Sequence, residues 1–374
     1  MKMNVYSPTI RRKEMDAVLS ALVEDKVGPG EHSKFLIQTA KEKIKFDYCL
    51  ALRSPVIALY LALNSLNLKK GQGVLISALS PLYYARVIED SGLVPVYCDV
   101  FPSTACVSRE TIDKAVSSRP DGLEILCIVI HHTLGYIPGG AAIAELGIPV
   151  IEDCSQSYGT FIGTESESGF SDKKPVEGIG VFTILGLEER DMLTSGGGAL
   201  LYSMNRRDAS VLRNLGDLPP EYGLPDMNAA MAVVQFREAP KNLLKRREIA
   251  RLYTQSALRT RHKMFVQPDG VEYNNYAFPL VLESGMKDVK AYAKKKEIAV
   301  ENAFENTLIS MVKPELSEGP GTAEPLARGS LGEVSRVQCP EASSLFLRTV
   351  LFPIYPRLGM ADAGKVAKLI LTLP

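Results

Sequence analysis

Two stretches near the start of the chain have apolar residues at every third or fourth position. They cover residues 14–24 and 33–44. Between them lies Gly28-Pro29-Gly30, and glycine and proline interrupt regular helices. The pattern therefore predicts two helices joined by a short loop.

Further along, short apolar runs alternate with segments of helical periodicity. The predicted strands are residues 73–77, 94–98, 124–130 and 149–152, and the predicted helices are residues 56–66, 83–91, 109–117 and 141–146. Strands that are apolar at almost every position are typical of parallel sheets buried on both faces. This part of the chain is expected to form an α/β fold, a mainly parallel sheet covered by helices.

The pattern changes after Gly159. Residues 160–177 are polar and rich in glycine and serine, and two strand-like runs follow, residues 178–185 and 197–202, which could form a hairpin or an antiparallel edge of the same sheet. A long helical stretch covers residues 226–252 and contains Pro240, where we expect a bend.

The last third of the chain has the pattern of a smaller α+β unit. It comprises a strand at residues 277–282, a lysine-rich helix at 287–296, a loop rich in glycine, proline and glutamate at 314–324, and a final helix at 362–371. We therefore predict a large domain, residues 1–240, and a small C-terminal domain, residues 241–374.

Composition excludes several classes of protein. The 374 residues include 43 basic and 43 acidic side chains, and 46% of residues are apolar. A net charge of zero gives no electrostatic footprint for nucleic acid or an anionic membrane. No apolar run approaches the ~18 residues of a membrane span. Six cysteines without a Cys-x-x-Cys pair suggest buried free thiols, and the sequence predicts a cytoplasmic protein.

Polar residues that directly follow an apolar strand are the best candidates for a ligand site in this class of fold. The strand at 149–152 runs into the sequence EDCSQSYG, residues 152–159. It resembles the Glu-Asp-x-x-Gln-x-x-Gly signature of the DegT/DnrJ/EryC1/StrS family, the fold-type-I sugar aminotransferases that depend on pyridoxal phosphate (PLP). Further similar segments are residues 27–30, 95–99, 132–135 and 352–356.

The resemblance implies the fold-type-I PLP-transferase architecture and a role for several residues. Asp153 would pair with the pyridinium nitrogen of PLP and keep the ring electron-accepting, while Gln156 would lie near the phenolic oxygen. Ser54 and Thr183 correspond to positions that hold the phosphate. A purely structural alternative stays open, in which Asp153 caps a helix and Gln156 is a turn residue.

The catalytic lysine of the family is missing. Only a primary amine can condense with the PLP aldehyde, yet there is no lysine between Lys174 and Lys241. Arg190 lies nearest to the expected position, and a permanently protonated guanidinium does not form a stable imine. One branch of the family uses histidine there, but no histidine occurs between His132 and His262.

Other cofactor positions also depart from the family. Ser54 is followed by proline and valine where the family has Ser-Gly-Thr, so a backbone donor and a hydroxyl are lost. Pro81 occupies the position of the aromatic residue that stacks on the ring, although Tyr83 and Tyr84 lie close by. Glu221 stands where a neighbouring subunit would contact the phosphate, which a carboxylate would repel.

The histidine pair His131 and His132 is the remaining candidate for chemistry. No cysteine or carboxylate follows at the spacing of a zinc site, so no metal site is predicted and the pair is expected to shape the end of a strand. Residues 195–198 are interpreted as a tight turn. The lysine-rich helix at 287–296 is interpreted as having a solvated face.

These observations predict a degenerate relative of nucleotide-sugar aminotransferases, with PLP binding in doubt. It would act as a partner, scaffold or regulator, as a homodimer or as a heterodimer with an active paralogue of polysaccharide biosynthesis. Two alternatives stay open: an active PLP-dependent sugar aminotransferase with an unusual site, and a sensor that binds a nucleotide sugar without chemistry.

Overall fold

The computed structural model describes residues 3–163, 174–175, 179–268, 270–283, 285–311 and 339–374. The predicted loop at 314–324 lies outside these residues. The described helices are Arg12–Val23 (α1), Glu31–Ile44 (α2), Pro55–Ser65 (α3), Tyr83–Asp90 (α4), Arg109–Ser117 (α5), Gly140–Ala144 (α6), Arg206–Arg213 (α7), Asp226–Ala257 (α8), Met286–Lys295 (α9), Pro340–Arg348 (α10) and Met360–Leu371 (α11).

The strands form one large sheet and two small ones. They are Tyr48–Leu52 (β1), Gly73–Ser77 (β2), Val94–Cys98 (β3), Ile125–His131 (β4), Val150–Asp153 (β5), Phe161–Ile162 (β6), Lys174–Pro175 (β7), Phe182–Gly186 (β8), Ala199–Ser203 (β9), Val271–Glu272 (β10), Phe278–Val281 (β11), Glu301–Asn302 (β12) and Thr349–Phe352 (β13).

The large sheet has the order β1-β9-β8-β5-β4-β2-β3. The pairs β3/β2, β2/β4, β4/β5 and β5/β8 are all parallel, which confirms the predicted α/β class. The apolar runs are continuous because both faces are covered. In β2, Val74 and Ile76 pack into one buried cluster, while Leu75 between them packs into another.

The antiparallel end of this sheet was predicted only in part. Strands β8 and β9 are antiparallel to each other, as in a hairpin, and β9 is also antiparallel to β1. The two predicted alternatives, a hairpin and an antiparallel edge of the large sheet, are therefore both present. The sequence did not predict β1. Its five residues follow α2 after a short break, and a short apolar run has no periodicity that separates strand from helix.

Helix α8 links the two hydrophobic regions of the molecule. Its first half, around Phe236, packs in a cluster with α2 and β9, and its second half, around Tyr253, packs against the C-terminal sheet β11-β13-β12 and α11. The helix is continuous through Pro240, the boundary predicted for the domains. At the chain start, the Met3 carbonyl accepts a hydrogen bond from Ala299 N at 3.0 Å.

Arg246 of α8 ties this helix to two segments of the C-terminal half. The side chain is buried, and its Nη1 donates to the carbonyls of Tyr276 at 2.9 Å and Ile354 at 2.9 Å, with Asn275 O at 3.3 Å. Burial lowers the pKa of this arginine. The guanidinium therefore connects α8 by hydrogen bonds to the loops at residues 275–276 and 354.

We expect Arg246→Met to lower the free energy of unfolding by about 2–3 kcal/mol, because three carbonyls, one buried and two partly buried, lose a charged donor. The change is measured by urea denaturation. Arg251→Met on the exposed side of the same helix is the control and is expected to change stability by less than about 0.5 kcal/mol. Equal effects of the two substitutions would contradict this role.

Candidate functional site

The polar residues of the signature lie at the carboxyl edge of the large sheet. Asp153 is the last residue of β5, between His131 at the end of β4 and Ile184 of β8, with which it is in register. Because parallel strands end at a common edge, residues from distant parts of the sequence converge there. Asp153 is 1% exposed.

Both oxygens of the Asp153 carboxylate are hydrogen-bonded within the chain. Oδ1 accepts from Ser155 N at 2.9 Å and from Ser155 Oγ at 2.5 Å. Oδ2 accepts from the hydroxyl of Tyr84 at 2.5 Å, and the hydroxyl of Tyr83 lies at 3.4 Å. The Nδ1 atom of His131 is 3.6 Å from Oδ2. The carboxylate is therefore surrounded by the protein's own donors.

These contacts set the charge of the buried groups. Burial alone would raise the pKa of Asp153, but His131, Ser155 and Tyr84 stabilise the anion and lower that pKa to about 2. Burial, followed by the charge of Asp153, raises the pKa of Tyr84 well above its usual value. At neutral pH the site therefore contains an ionised carboxylate and a protonated tyrosine that donates to it.

The loop between β8 and β9, where the family lysine was expected, contains a second carboxylate, that of the half-buried Asp191. Asp191 Oδ2 accepts from Glu188 N at 2.8 Å. A Cβ on Gly186 would collide with Asp191 Oδ2 and lie 2.7 Å from Ser155 Oγ, so only glycine fits beneath the two. Burial first, then the charges of Asp153 and Glu188, raises the pKa of Asp191 to about 7.

Arg190, the residue nearest to the expected lysine position, is engaged elsewhere. Its Nη1 atom lies 3.0 Å from Glu301 Oε2, and its guanidinium carbon is 5.8 Å from the centre of the Tyr6 ring. Among the described side chains, no lysine bonds to Asp153 or Asp191. Lys173 lies outside the described residues. The chain supplies no amine to this site from the β8–β9 loop.

The other residues assigned by resemblance have contacts within the chain. Gln156 Oε1 accepts from Leu134 N at 2.7 Å, and the Ser54 side chain caps α3 by accepting from Ile57 N at 3.3 Å. Thr183 is fully buried, and its hydroxyl has no partner among the described residues. A cofactor role for Gln156, Ser54 and Thr183 stays a prediction.

His132 belongs to a separate buried cluster next to the site. Its Nε2 lies 3.0 Å from Glu152 Oε1 and its Nδ1 lies 2.6 Å from Ser157 Oγ. The possible metal-binding atoms of His132, Glu152 and Cys154 lie within 4.8 Å of one another. Sequence spacing could not reveal this grouping, because β4 and β5 bring the residues together. Both ring nitrogens already face protein oxygens.

PLP would need groups at this site that bind its pyridine nitrogen and its phosphate. A pyridinium nitrogen would have to share the buried Asp153 carboxylate with its internal donors Ser155 and Tyr84. The Ser54 hydroxyl already caps α3, and Pro55 removes a backbone donor from the first turn of that helix. The chain therefore lacks the lysine of the family pattern and part of the phosphate-binding groups that the pattern requires for PLP.

The sequence singles out Asp153 as a candidate but not the side chains that surround it in the structure. Tyr84 is 69 residues away in the sequence, and neither its hydroxyl contact nor that of Ser155 follows from a motif. Asp191 could have been predicted as a site residue, because it directly follows Arg190, the residue nearest to the expected lysine position. Glu221 lies in a short 3₁₀ turn, Pro220–Tyr222.

Comparison with known proteins extends over almost the entire chain. A sequence model of the DegT/DnrJ/EryC1/StrS aminotransferase family matches residues 8–371. The dTDP-4-dehydro-2,3,6-trideoxy-D-glucose 4-aminotransferase of Saccharopolyspora spinosa is 23% identical, over 97% of this chain and 94% of that protein. The GDP-perosamine synthase of Escherichia coli O157:H7 is 23% identical, over 67% of this chain and 70% of that protein.

A solved structure of similar shape is the PLP form of the sugar aminotransferase Spr1654 from Streptococcus pneumoniae. It has a TM-score of 0.83 at 16% identity and covers 100% of this chain and 98% of that one. A PMP form of the same protein matches equally well, with a TM-score of 0.83. The chain has the fold-type-I architecture of PLP-dependent aminotransferases.

We expect Asp191→Asn to remove a pH dependence of stability. A carboxyl whose pKa is raised on folding from about 4 to about 7 stabilises the fold at low pH, and this stabilisation is lost as pH rises through 7. The amide keeps an acceptor for Glu188 N but does not ionise. The stability of the variant relative to the wild type should increase by about 1–3 kcal/mol across this range.

Urea denaturation at several pH values measures the effect. Asp217→Asn, at an exposed carboxylate, is the matched control and should leave the pH profile unchanged. Parallel profiles for wild type and Asp191→Asn would contradict the assignment.

Proposed function

Because this chain belongs to the DegT/DnrJ/EryC1/StrS aminotransferase family, we propose that it is a relative of nucleotide-sugar aminotransferases that has lost amino transfer and acts as a partner, scaffold or regulator. This proposal rests mainly on the burial and the internal hydrogen bonds of the Asp153 carboxylate. Its carboxylate is buried and hydrogen-bonded to Ser155 and Tyr84 of the same chain.

The lysine position supports the proposal independently. Amino transfer through PLP needs a primary amine that bonds to the cofactor and later moves a proton. Here the nearest side chain is the guanidinium of Arg190, which is paired with Glu301 at 3.0 Å. A delocalised cation held in an ion pair can perform neither task.

The charges near Asp153 also support the proposed loss of amino transfer. PLP and nucleotide sugars carry phosphate groups, and active sites that bind phosphate offer backbone N–H groups and cationic side chains. The cleft beside Asp153 instead contains Asp191, whose raised pKa of about 7 reflects burial and nearby negative charge. An anionic ligand would meet the ionised carboxylate of Asp153 and, above pH 7, that of Asp191 as well.

The backbone around the site nevertheless keeps a closely packed arrangement. This favours a role in which the chain binds a partner through its fold and does not catalyse a reaction. Gly135 has φ +83°, and a Cβ there would lie 2.8 Å from Gln156 O and 2.8 Å from Asn274 Oδ1. Asn274 in turn donates to Gln156 O at 2.7 Å and to Tyr158 O at 3.0 Å. We propose that this scaffold associates with an active paralogue that processes nucleotide sugars in polysaccharide biosynthesis.

Treatment with PLP and borohydride tests the loss of activity. We expect wild type and Arg190→Lys to show neither a cofactor–lysine absorption band nor, after reduction, a stoichiometric adduct at one lysine. The variant is included because Asp153 remains covered by Tyr84 even when an amine is supplied. An active sugar aminotransferase of the family is treated in parallel as the positive control.

A single stoichiometric lysine adduct in the wild type, together with amino transfer to a keto-sugar, would overturn the proposal in favour of an active enzyme. Calorimetric titration with dTDP- and GDP-linked sugars distinguishes the remaining roles. We expect no saturable heat. Saturable binding without turnover would instead assign a sensor.

A further inference from the structure

A cavity lies where the middle of α8 meets the C-terminal end of α2, and we call it the α2–α8 cavity. Its volume is about 380 Å³, within the range of about 300–1,000 Å³ that is typical of small-molecule sites. The wall is mostly apolar and includes Ile44 of α2, Phe161 of β6, and Pro240 and Leu243 of α8. An apolar body of small size therefore fits this cavity.

The walls of the α2–α8 cavity are held by close contacts within the chain. Gly159 has φ +82°, and a Cβ there would lie 2.6 Å from Leu243 Cδ1, so the backbone packs directly on that leucine. The rings of Tyr158 and Phe236 meet edge to face, with 5.4 Å between their centres. A ligand would thus enter a preformed site, which lowers the entropic cost of binding.

Three charged side chains are among the residues that line this apolar cavity, namely Lys43, Arg247 and Glu272. Glu272 Oε1 is paired with Arg247 Nη1. The Nε atom of Arg247 is buried and has no hydrogen-bond partner among the described residues. Lys43 is exposed and adds a second positive charge. The lining therefore has an excess of one positive charge and a donor that lacks an acceptor.

We propose that the α2–α8 cavity binds a small amphipathic carboxylate, a molecule with an anionic head and an aliphatic or aromatic body. The head would accept hydrogen bonds from the guanidinium of Arg247, since a buried N–H without an acceptor is unfavourable and charge-assisted bonds to carboxylates are strong. The body would lose its contact with water against Ile44, Phe161 and Leu243.

The charges favour an anion over other ligands. A cationic amphiphile would meet Lys43 and Arg247, while the carboxylate of Glu272 is already paired with Arg247. A neutral amphiphile would leave the Arg247 Nε without an acceptor. A nucleotide sugar would place many hydroxyl groups against an apolar wall, where they lose their hydrogen bonds to water.

The inference does not depend on the loss of amino transfer. None of the described residues that line the cavity is Asp153, Asp191 or a residue assigned to PLP by resemblance. Binding of a carboxylate here and the chemistry of the Asp153 site can therefore be tested separately.

Fluorescence of a single tryptophan measures the proposed binding in the full chain. The sequence contains no tryptophan, so Leu244→Trp at the rim of the cavity, where Leu244 is 59% exposed, supplies the only such signal. We expect a saturable change on titration with sodium decanoate below its micelle concentration. Leu258→Trp is the control, since Leu258 is 70% exposed but follows the end of α8, and it should show no saturable change.

Substitution of the charged residues tests the role of the anionic head. Calorimetric titration of Arg247→Met with decanoate should give an affinity at least about tenfold weaker than that of the wild type. Glu272→Gln should bind about two- to fivefold more tightly, because it removes a negative charge from the lining. Arg251→Met loses the same charge as Arg247→Met at an exposed position of α8 and should change the affinity less than about twofold. Circular dichroism confirms that each variant is folded.

Shorter and differently charged probes test the apolar body and the sign of the charge. Octanoate should bind about tenfold more weakly than decanoate, because two fewer methylene groups are buried, and acetate should not bind. Decyltrimethylammonium, with the same chain and the opposite charge, should not bind. Absence of saturable decanoate binding to the wild type, equal binding of the ammonium probe, or equal effects of Arg247→Met and Arg251→Met would each overturn the proposal.

Discussion

The carboxylate of Asp153 is an ion without access to solvent, and the carboxyl edge of the sheet is arranged to stabilise it. A buried charge is tolerated only when hydrogen bonds or opposite charges replace the lost water. Here Ser155 and Tyr84 supply hydrogen bonds, and His131 lies at ion-pair distance. In a PLP enzyme with the same signature, the resemblance implies that a pyridinium ring would contribute to this stabilisation. In this chain Ser155, Tyr84 and His131 contribute to it.

The β8–β9 loop lies beside the buried Asp153 carboxylate and is also held by hydrogen bonds within the chain. Gly186 leaves room for Asp191 beside Ser155, and the backbone N–H of Glu188 holds the Asp191 carboxylate. Arg190 turns to Glu301 in the C-terminal half of the chain. In this chain, the segment that would carry a reactive amine in the family is a loop whose Asp191 carboxylate accepts from its own backbone and whose Arg190 is paired with Glu301. Shape is retained while the groups needed for cofactor chemistry are absent from it.

Much of the fold could be predicted because local pattern determines it. The bounds of β2, β3 and α5 follow the sequence pattern to the residue, since their apolar runs are bounded by clear turns. Strand β1 was missed because five apolar residues next to a helix carry no distinguishing period. In the site, Asp153 was predicted from a local motif. Tyr84 and Asp191 were not, because their contacts depend on how α4 and the β8–β9 loop pack over the strand ends.

The most direct test of the central claim is a crystal structure of the chain grown in the presence of excess PLP. We predict that the Tyr84 hydroxyl remains within hydrogen-bond distance of Asp153 Oδ2, as in the 2.5 Å contact described above, with no ring density at the carboxylate. A pyridine nitrogen hydrogen-bonded to Asp153, with Tyr84 displaced, would contradict the account.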